Sequence, residues 1–296
     1  MAFNWQTFKT RTLTAAIFVV VMLAGLLINR WTFFILFSVI HFGCWWEYLR
    51  LVEKIHKTKI DAVIKYVLIT GGFVVFVIIG FPKNTLYVGW ALVPNFNFRW
   101  LFYLLIVLCI TAFLFQNKKI PMNAKWVAVA GLIYISVSLG LSINLFGEVI
   151  IRFHDSSLVI RNPYFYPVLI IASLWINDTM AYIIGSLIGK TQMSKISPKK
   201  TWEGTVGGII LSGATIFLLS YFVFRFETIS YSLLVVAVIA SIAGTLGDLL
   251  ESKLKRMAQV KDSGHIMPGH GGFLDRFDSL LVATPFVWLY VYFFIP

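Results

Sequence analysis

Between two long apolar runs, residues 251–279 read ESKLKRMAQVKDSGHIMPGHGGFLDRFDS, a stretch dense in acids, bases, histidines and glycines. Polar groups are costly to hold against hydrocarbon, so this density points to a chemical site rather than a linker. The residue types suit phosphate and a hard cation. Asp248, Asp275 and Asp278 offer oxygen ligands, Lys253, Lys255, Arg256, Lys261 and Arg276 offer phosphate donors, and the glycines let backbone approach a ligand closely. On a helix Asp248 shares a face with Glu251 and Ser252. Asp275 and Asp278, spaced i and i+3, project from one side of the next helix, with Arg276 turned away from them. Three carboxylates from two helix ends make a cage for a divalent cation, and all-oxygen donors favour Mg²⁺ or Mn²⁺ over zinc. A zinc site would need further His or Cys nearby, and Cys44 and Cys109 lie elsewhere in the chain. His270, set between Pro268-Gly269 and Gly271-Gly272, is placed for a phosphate or a base, whereas His265 reads equally well as a solvated loop residue.

Other polar residues also need a reason. Asn177 and Asp178 sit inside an apolar run, with Tyr182 about one helical turn on; they form either an interhelical hydrogen-bond cluster or a substrate-facing group. The run GSLIGKT at 185–191 is not a phosphate-binding P-loop. It has three residues between its glycines instead of four, and it follows an apolar helix instead of a strand. Gly185 and Gly189 have the spacing of close helix contacts. The loop KISPKKTWEG at 195–204 then brings Ser197, Lys199, Lys200, Thr201 and Glu203 to a membrane surface, with Pro198 stopping helix extension. Its lysines suit any cytoplasmic loop, but Thr201 and Glu203 just before a span do not follow from that.

The elements that must position these residues are membrane helices. A hydrophobic fraction of 59%, an aromatic fraction of 17%, 13% charged residues and a mean hydropathy of +0.83 lie outside the range of soluble domains. The sequence predicts an all-α, polytopic integral membrane protein of about nine transmembrane helices, near 12–29, 31–49, 63–81, 98–116, 125–147, 166–188, 205–224, 230–250 and 279–296. A tight turn at Asn29 and Arg30 makes the first two a hairpin. With the N-terminus in the cytoplasm, 19 of the 25 Lys and Arg fall on the cytoplasmic side, together with both rich polar loops. The net charge of +12 then meets anionic membrane lipids; no basic face of a soluble fold offers itself to nucleic acid. The apolar run after Lys9 and Arg11 reads as a retained anchor, with no small-residue cleavage site after it. The two cysteines, both inside predicted spans, read as small buried residues. Without repeats or a soluble segment, residues 1–296 form a single integral domain. Its helices in 1–150 serve packing or a subunit interface, such as that of a homodimer, and 166–296 form the catalytic half with a cytoplasmic site.

Residues 252–256 (SKLKR), 261–264 (KDSG) and 268–278 (PGHGGFLDRFD) resemble the signature of the phosphatidate cytidylyltransferases, also called CDP-diacylglycerol synthases. Asp178, Ala181, Tyr182 and Gly185, and the run SPKKT at 197–201 with Glu203 and Gly204, look like the same family. Met267 departs mildly from its pattern, since other aliphatics are usual there. The resemblance implies transfer of the cytidylyl group of CTP to phosphatidic acid, giving CDP-diacylglycerol and pyrophosphate, by direct metal-assisted attack of the lipid phosphate. It implies that Asp248, Asp275 and Asp278 hold Mg²⁺, with Mn²⁺ as a substitute and room for a second ion, and that Lys261 and His270 join them in the catalytic set. Substrate binding would fall to Asn177, Asp178, Tyr182, Ser197, Lys199, Lys200, Thr201, Glu203, Ser252, Lys255, Arg256, Asp262, Gly271, Gly272 and Arg276.

Two other readings stand beside it. A CTP-dependent polyprenol or phytol kinase would also use Mg²⁺ and a lipid acceptor, but would release CDP. An ion-coupled transporter would account for Asp178 inside a span but not for the acid and base loop ahead of the last span. The compact nine-span chain suggests a bacterial inner membrane. The topology can be checked with single cysteines at Ser194 and Asn95, after replacement of Cys44 and Cys109. An impermeant thiol reagent on right-side-out vesicles is expected to label position 95 and spare position 194; the reverse pattern would invert the bundle.

Overall fold

A computed structural model of the chain describes residues 5–81, 120–146, 149–152, 159–162, 164–223, 230–265 and 271–295. Eight helices run through them: α1 (Trp5–Leu27), α2 (Arg30–His56), α3 (Ala62–Gly80), α4 (Met122–Asn144), α5 (Phe165–Ile188), α6 (Trp202–Phe222), α7 (Ser230–Met257) and α8 (Leu274–Phe294). Seven of them, α2 to α8, are long and apolar enough to cross a membrane, while α1 has a shorter apolar stretch, Ala16–Leu27. The protein is thus a polytopic, helical membrane protein. The span expected at 98–116 lies outside the described residues. Between α4 and α5 the chain makes one two-stranded ribbon, β1 (Val149–Arg152) and β2 (Val159–Asn162), paired antiparallel with Val149 opposite Asn162. Its β-branched residues suit that pairing.

The backbone forms two compact units that do not follow the halves of the chain: residues 1–144 with 254–276, and residues 145–253 with 277–296. In the first, α1 and α2 form the expected hairpin. Asn29 caps α2, its side-chain oxygen accepting from Trp31 N at 2.8 Å and Thr32 N at 2.9 Å, and the Thr32 hydroxyl accepts in return from Asn29 N at 3.1 Å. This reciprocal pair satisfies amides that no helical turn can reach. The core of this unit is built around Trp45. A π-helical turn at Leu132–Val137 in α4 brings the Ser136 hydroxyl within 2.9 Å of the Trp45 indole nitrogen and 3.0 Å of His41 Nε2. Gly72 and Gly131 flank the same indole, where a methyl group would collide with it. Without a hydrophobic drive between helices in lipid, such close backbone approach and shared hydrogen bonds hold the bundle.

In the second unit α5 and α6 cross at glycines. Gly204 lies against Gly185 and the Ala181 carbonyl, and Gly208 lies against Asn177. The Gly185 contact realises the close packing expected from its spacing. Ser212 adds a hydrogen bond to the Ser173 carbonyl at 2.9 Å. Large apolar side chains such as Ile133, Leu187, Ile210 and Phe222 remain on the surface, as lipid contact requires.

Trp45 is fully buried, whereas Trp31 on the same helix is 70% exposed. Trp45→Ala is expected to destabilise the protein by about 3–5 kcal/mol. Trp31→Ala should change stability by no more than about 0.5 kcal/mol. Thermal melting of the two variants in detergent measures the difference.

Candidate active site

In the second unit the crossing of α7 and α8 is set by two glycines. A methyl group at Gly247 would come within 2.5 Å of the Asp278 carbonyl oxygen, and one at Gly244 would run into Leu174 and approach Ser279. Gly244, Gly247 and Glu251 recur at i, i+3 and i+7, so they share one face of α7, with Asp248 beside it. The helices therefore meet where both carry acid. One carboxylate oxygen from each of Asp248, Glu251 and Asp278 lies within 4.8 Å of the others. Glu251 and Asp278 are buried and Asp248 is half-buried. Ser279 N donates to Asp278 Oδ1 at 2.6 Å, and the Lys200 ammonium pairs with Asp248. Three carboxylates this close repel one another unless a proton or a cation intervenes. Their all-oxygen donor set suits Mg²⁺, which keeps open positions when bound by few protein ligands.

Asp248 also lines a cavity of about 360 Å³ in the same unit, together with Asn177, Asp178, Tyr182, Lys199, Lys200, Thr201 and Thr245. The loop that presents its lysines is pinned from α6. Both Glu203 oxygens lie 3.1 Å from Thr191 N, and Trp202 N donates to the Thr191 carbonyl at 2.9 Å. Met193 N donates to the Lys200 carbonyl at 2.8 Å, and the Thr201 hydroxyl caps α6 by accepting from Gly204 N at 3.2 Å. Thr201 and Glu203 thus hold the loop, while Lys199 and Lys200 face the cavity. Ser197 accepts from Lys200 N through its carbonyl at 3.1 Å and does not line the cavity. Ser252 stands 3.4 Å from Asp248 Oδ1.

The rest of the signature belongs to the first unit. Asp275 there has specific partners: Lys255 Nζ lies 2.6 Å from one carboxylate oxygen, and Ser263 N, the Ser263 hydroxyl and Gly272 N reach the other at 2.9, 2.9 and 2.8 Å. Gly271, at φ 85°, stands against the same carboxylate. Gly272 and Gly264 stand against the carboxylate of Glu47 on α2. The absent side chains of these three glycines thus admit protein carboxylates. Arg256, Lys261, Asp262 and Arg276 are exposed. His270 lies outside the described residues.

Of the three carboxylates expected to meet, Asp248 and Asp278 do so, and Glu251 is the third; Asp275 is engaged by Lys255, Ser263 and Gly272. Glu251 had a signal in the sequence, its place on the face marked by Gly244 and Gly247. Glu47 had one too, as an acid inside an apolar run. Thr245, about one helical turn before Asp248 on α7, had none.

Comparison with known proteins bears on this arrangement. Over 113 residues the chain is 50% identical to a phosphatidate cytidylyltransferase of Staphylococcus haemolyticus, and over 118 residues it is 48% identical to one of Bacillus subtilis. The first alignment covers 38% of this chain and the second 39%, and each covers 43% of the relative. The family model described as "Cytidylyltransferase family" matches residues 9–294, from within α1 to the end of α8. The chain therefore belongs to the cytidylyltransferase family.

Proposed function

We propose that the protein transfers the cytidylyl group of CTP to phosphatidic acid, giving CDP-diacylglycerol and pyrophosphate, at a site open to the cytoplasm in a bacterial inner membrane. The observation that carries this reading is the cluster of Asp248, Glu251 and Asp278, with Lys200 paired to Asp248 on the wall of a cavity. The named activity of the relatives supports it.

A phosphate oxygen of phosphatidic acid forms a bond to the α-phosphorus of CTP, and the bond from that phosphorus to the α–β bridging oxygen breaks, releasing pyrophosphate. The lipid phosphate is already a nucleophile, so catalysis reduces to placing it in line and neutralising charge. Lys199 and Lys200 face the cavity and bind phosphate oxygens. Asn177, Asp178 and Tyr182 line the same space and orient substrate polar groups. Mg²⁺ held by Asp248, Glu251 and Asp278 would draw charge from the phosphate oxygens. By the resemblance, Lys255, Arg256, Lys261, His270 and Arg276 contribute further positive charge.

Purified protein in detergent, given CTP, Mg²⁺ and phosphatidic acid, is expected to release pyrophosphate. With a polyprenol or phytol in place of phosphatidic acid, release of CDP would identify a lipid kinase, and release of neither product with any of these acceptors would leave transport as the better reading. Glu251→Gln and Asp278→Asn should each lower turnover by at least about 10²-fold, as loss of several kcal/mol of charge stabilisation would. Both should also shift activation to higher Mg²⁺ concentration. Asp275→Asn should lower turnover without that shift; a shift as large as that of Glu251→Gln would place Asp275 among the metal ligands after all. With CTP chiral at an α-thiophosphate, the product should show inversion at phosphorus, as one in-line displacement requires. Retention would demand a covalent enzyme intermediate.

A further inference from the structure

Glu47 lies in the C-terminal half of α2, far in sequence from every residue assigned above, and is almost fully buried. An acid so placed needs donors, and all those the structure gives it come from the signature loop. Phe273 N donates to Glu47 Oε1 at 3.0 Å, Leu274 N to Oε2 at 2.9 Å, and the Ser263 hydroxyl to Oε2 at 2.7 Å. Two of these donors are amides at the very start of α8, which have no carbonyl within the helix to meet. A carboxylate there also lies at the positive end of the helix dipole.

The neighbours of Glu47 are shaped to the same contact. Gly43, one turn earlier on α2, leaves the space that the Phe273 ring fills, so Gly43 and Glu47 form a socket at i and i+4 for ring and amide of one residue. Gly264 and Gly272 enclose the carboxylate from the loop side, and a methyl group on either would strike it. Ser263 links Glu47 to the acid of the signature, because its hydroxyl oxygen lies 2.7 Å from Glu47 Oε2 and 2.9 Å from Asp275 Oδ2.

We infer that Glu47 is a positioning residue for the transfer reaction: from α2 it fixes the signature loop and the first turn of α8, and so sets the direction of the helix that carries Asp275 and, one turn on, Asp278. The inference rests on the proposed cytidylyl transfer, and its test separates the two. A glutamine cannot replace this acid, since its amide nitrogen is a donor facing donors. Whichever way the amide turns, at least one loop amide loses its acceptor.

The test uses the full chain in detergent and follows deuterium labelling of the Phe273 and Leu274 amides, which donate to Glu47. Glu47→Gln is expected to raise the labelling rate of these amides by about tenfold, the effect of one lost buried hydrogen bond. It should lower kcat on the order of 10²-fold while KM for CTP changes by less than about threefold, the pattern of misplaced groups rather than lost binding. Ser263→Ala should move both readouts the same way by less, and decides the matter alone where Glu47→Gln fails to fold. Unchanged labelling, or faster labelling with unchanged kcat, would overturn the inference. A parent protein that transfers no cytidylyl group would overturn the proposed activity, and the labelling rates would still judge Glu47 as the anchor of the loop.

Discussion

A carboxylate buried among membrane helices must find donors, and a helix that begins near hydrocarbon must find acceptors for its first amides. Glu47 and the start of α8 meet both needs with the same hydrogen bonds. The contact joins residue 47 to residues 263, 273 and 274, and so ties a loop rich in charge to α2. That loop is grouped with the N-terminal helices in the first unit.

The second unit meets a related constraint by another route. Its acids are brought together by the absence of side chains: Gly244 and Gly247 let α7 touch the backbone of α8, and the touching faces carry Asp248, Glu251 and Asp278. Like charges held this close raise the free energy of the arrangement, and the Lys200 ammonium beside Asp248 lowers it. Gly185, Gly204 and Gly208 do the same for α5 and α6, where the close crossing places Asn177 and Tyr182 on the cavity wall. In both crossings small residues set the geometry and polar residues stand next to them.

Capping recurs as the means of ordering loops. Asn29 with Thr32, Thr201 with Gly204, and Glu47 with Phe273 and Leu274 each satisfy amides at a helix start. Glu203 reaches the amide of Thr191 and closes the lysine loop onto α6. Polar residues in the family signature can thus serve as architecture: Thr201 and Glu203 support the loop, while Lys199 and Lys200 look into the cavity.

Hydropathy and length alone determined the helical, membrane-spanning character of this chain, because some twenty apolar residues in a row have no other stable arrangement in a bilayer. The signature around Asp275 and Asp278 was legible for the same kind of reason, since dense charge beside hydrocarbon is improbable without a use. The partners of each acid were not legible. Sequence spacing relates residues on one helix, so it paired Asp275 with Asp278 and set Glu251 beside Asp248. Only the tertiary structure could decide that Glu251 turns toward Asp278, because that depends on the face where Gly247 lets α7 meet α8. It alone could show Asp275 held by Lys255 and Ser263, and Glu47 reaching a loop more than two hundred residues away, because contacts across such separations are fixed by packing and leave no periodic trace in the chain.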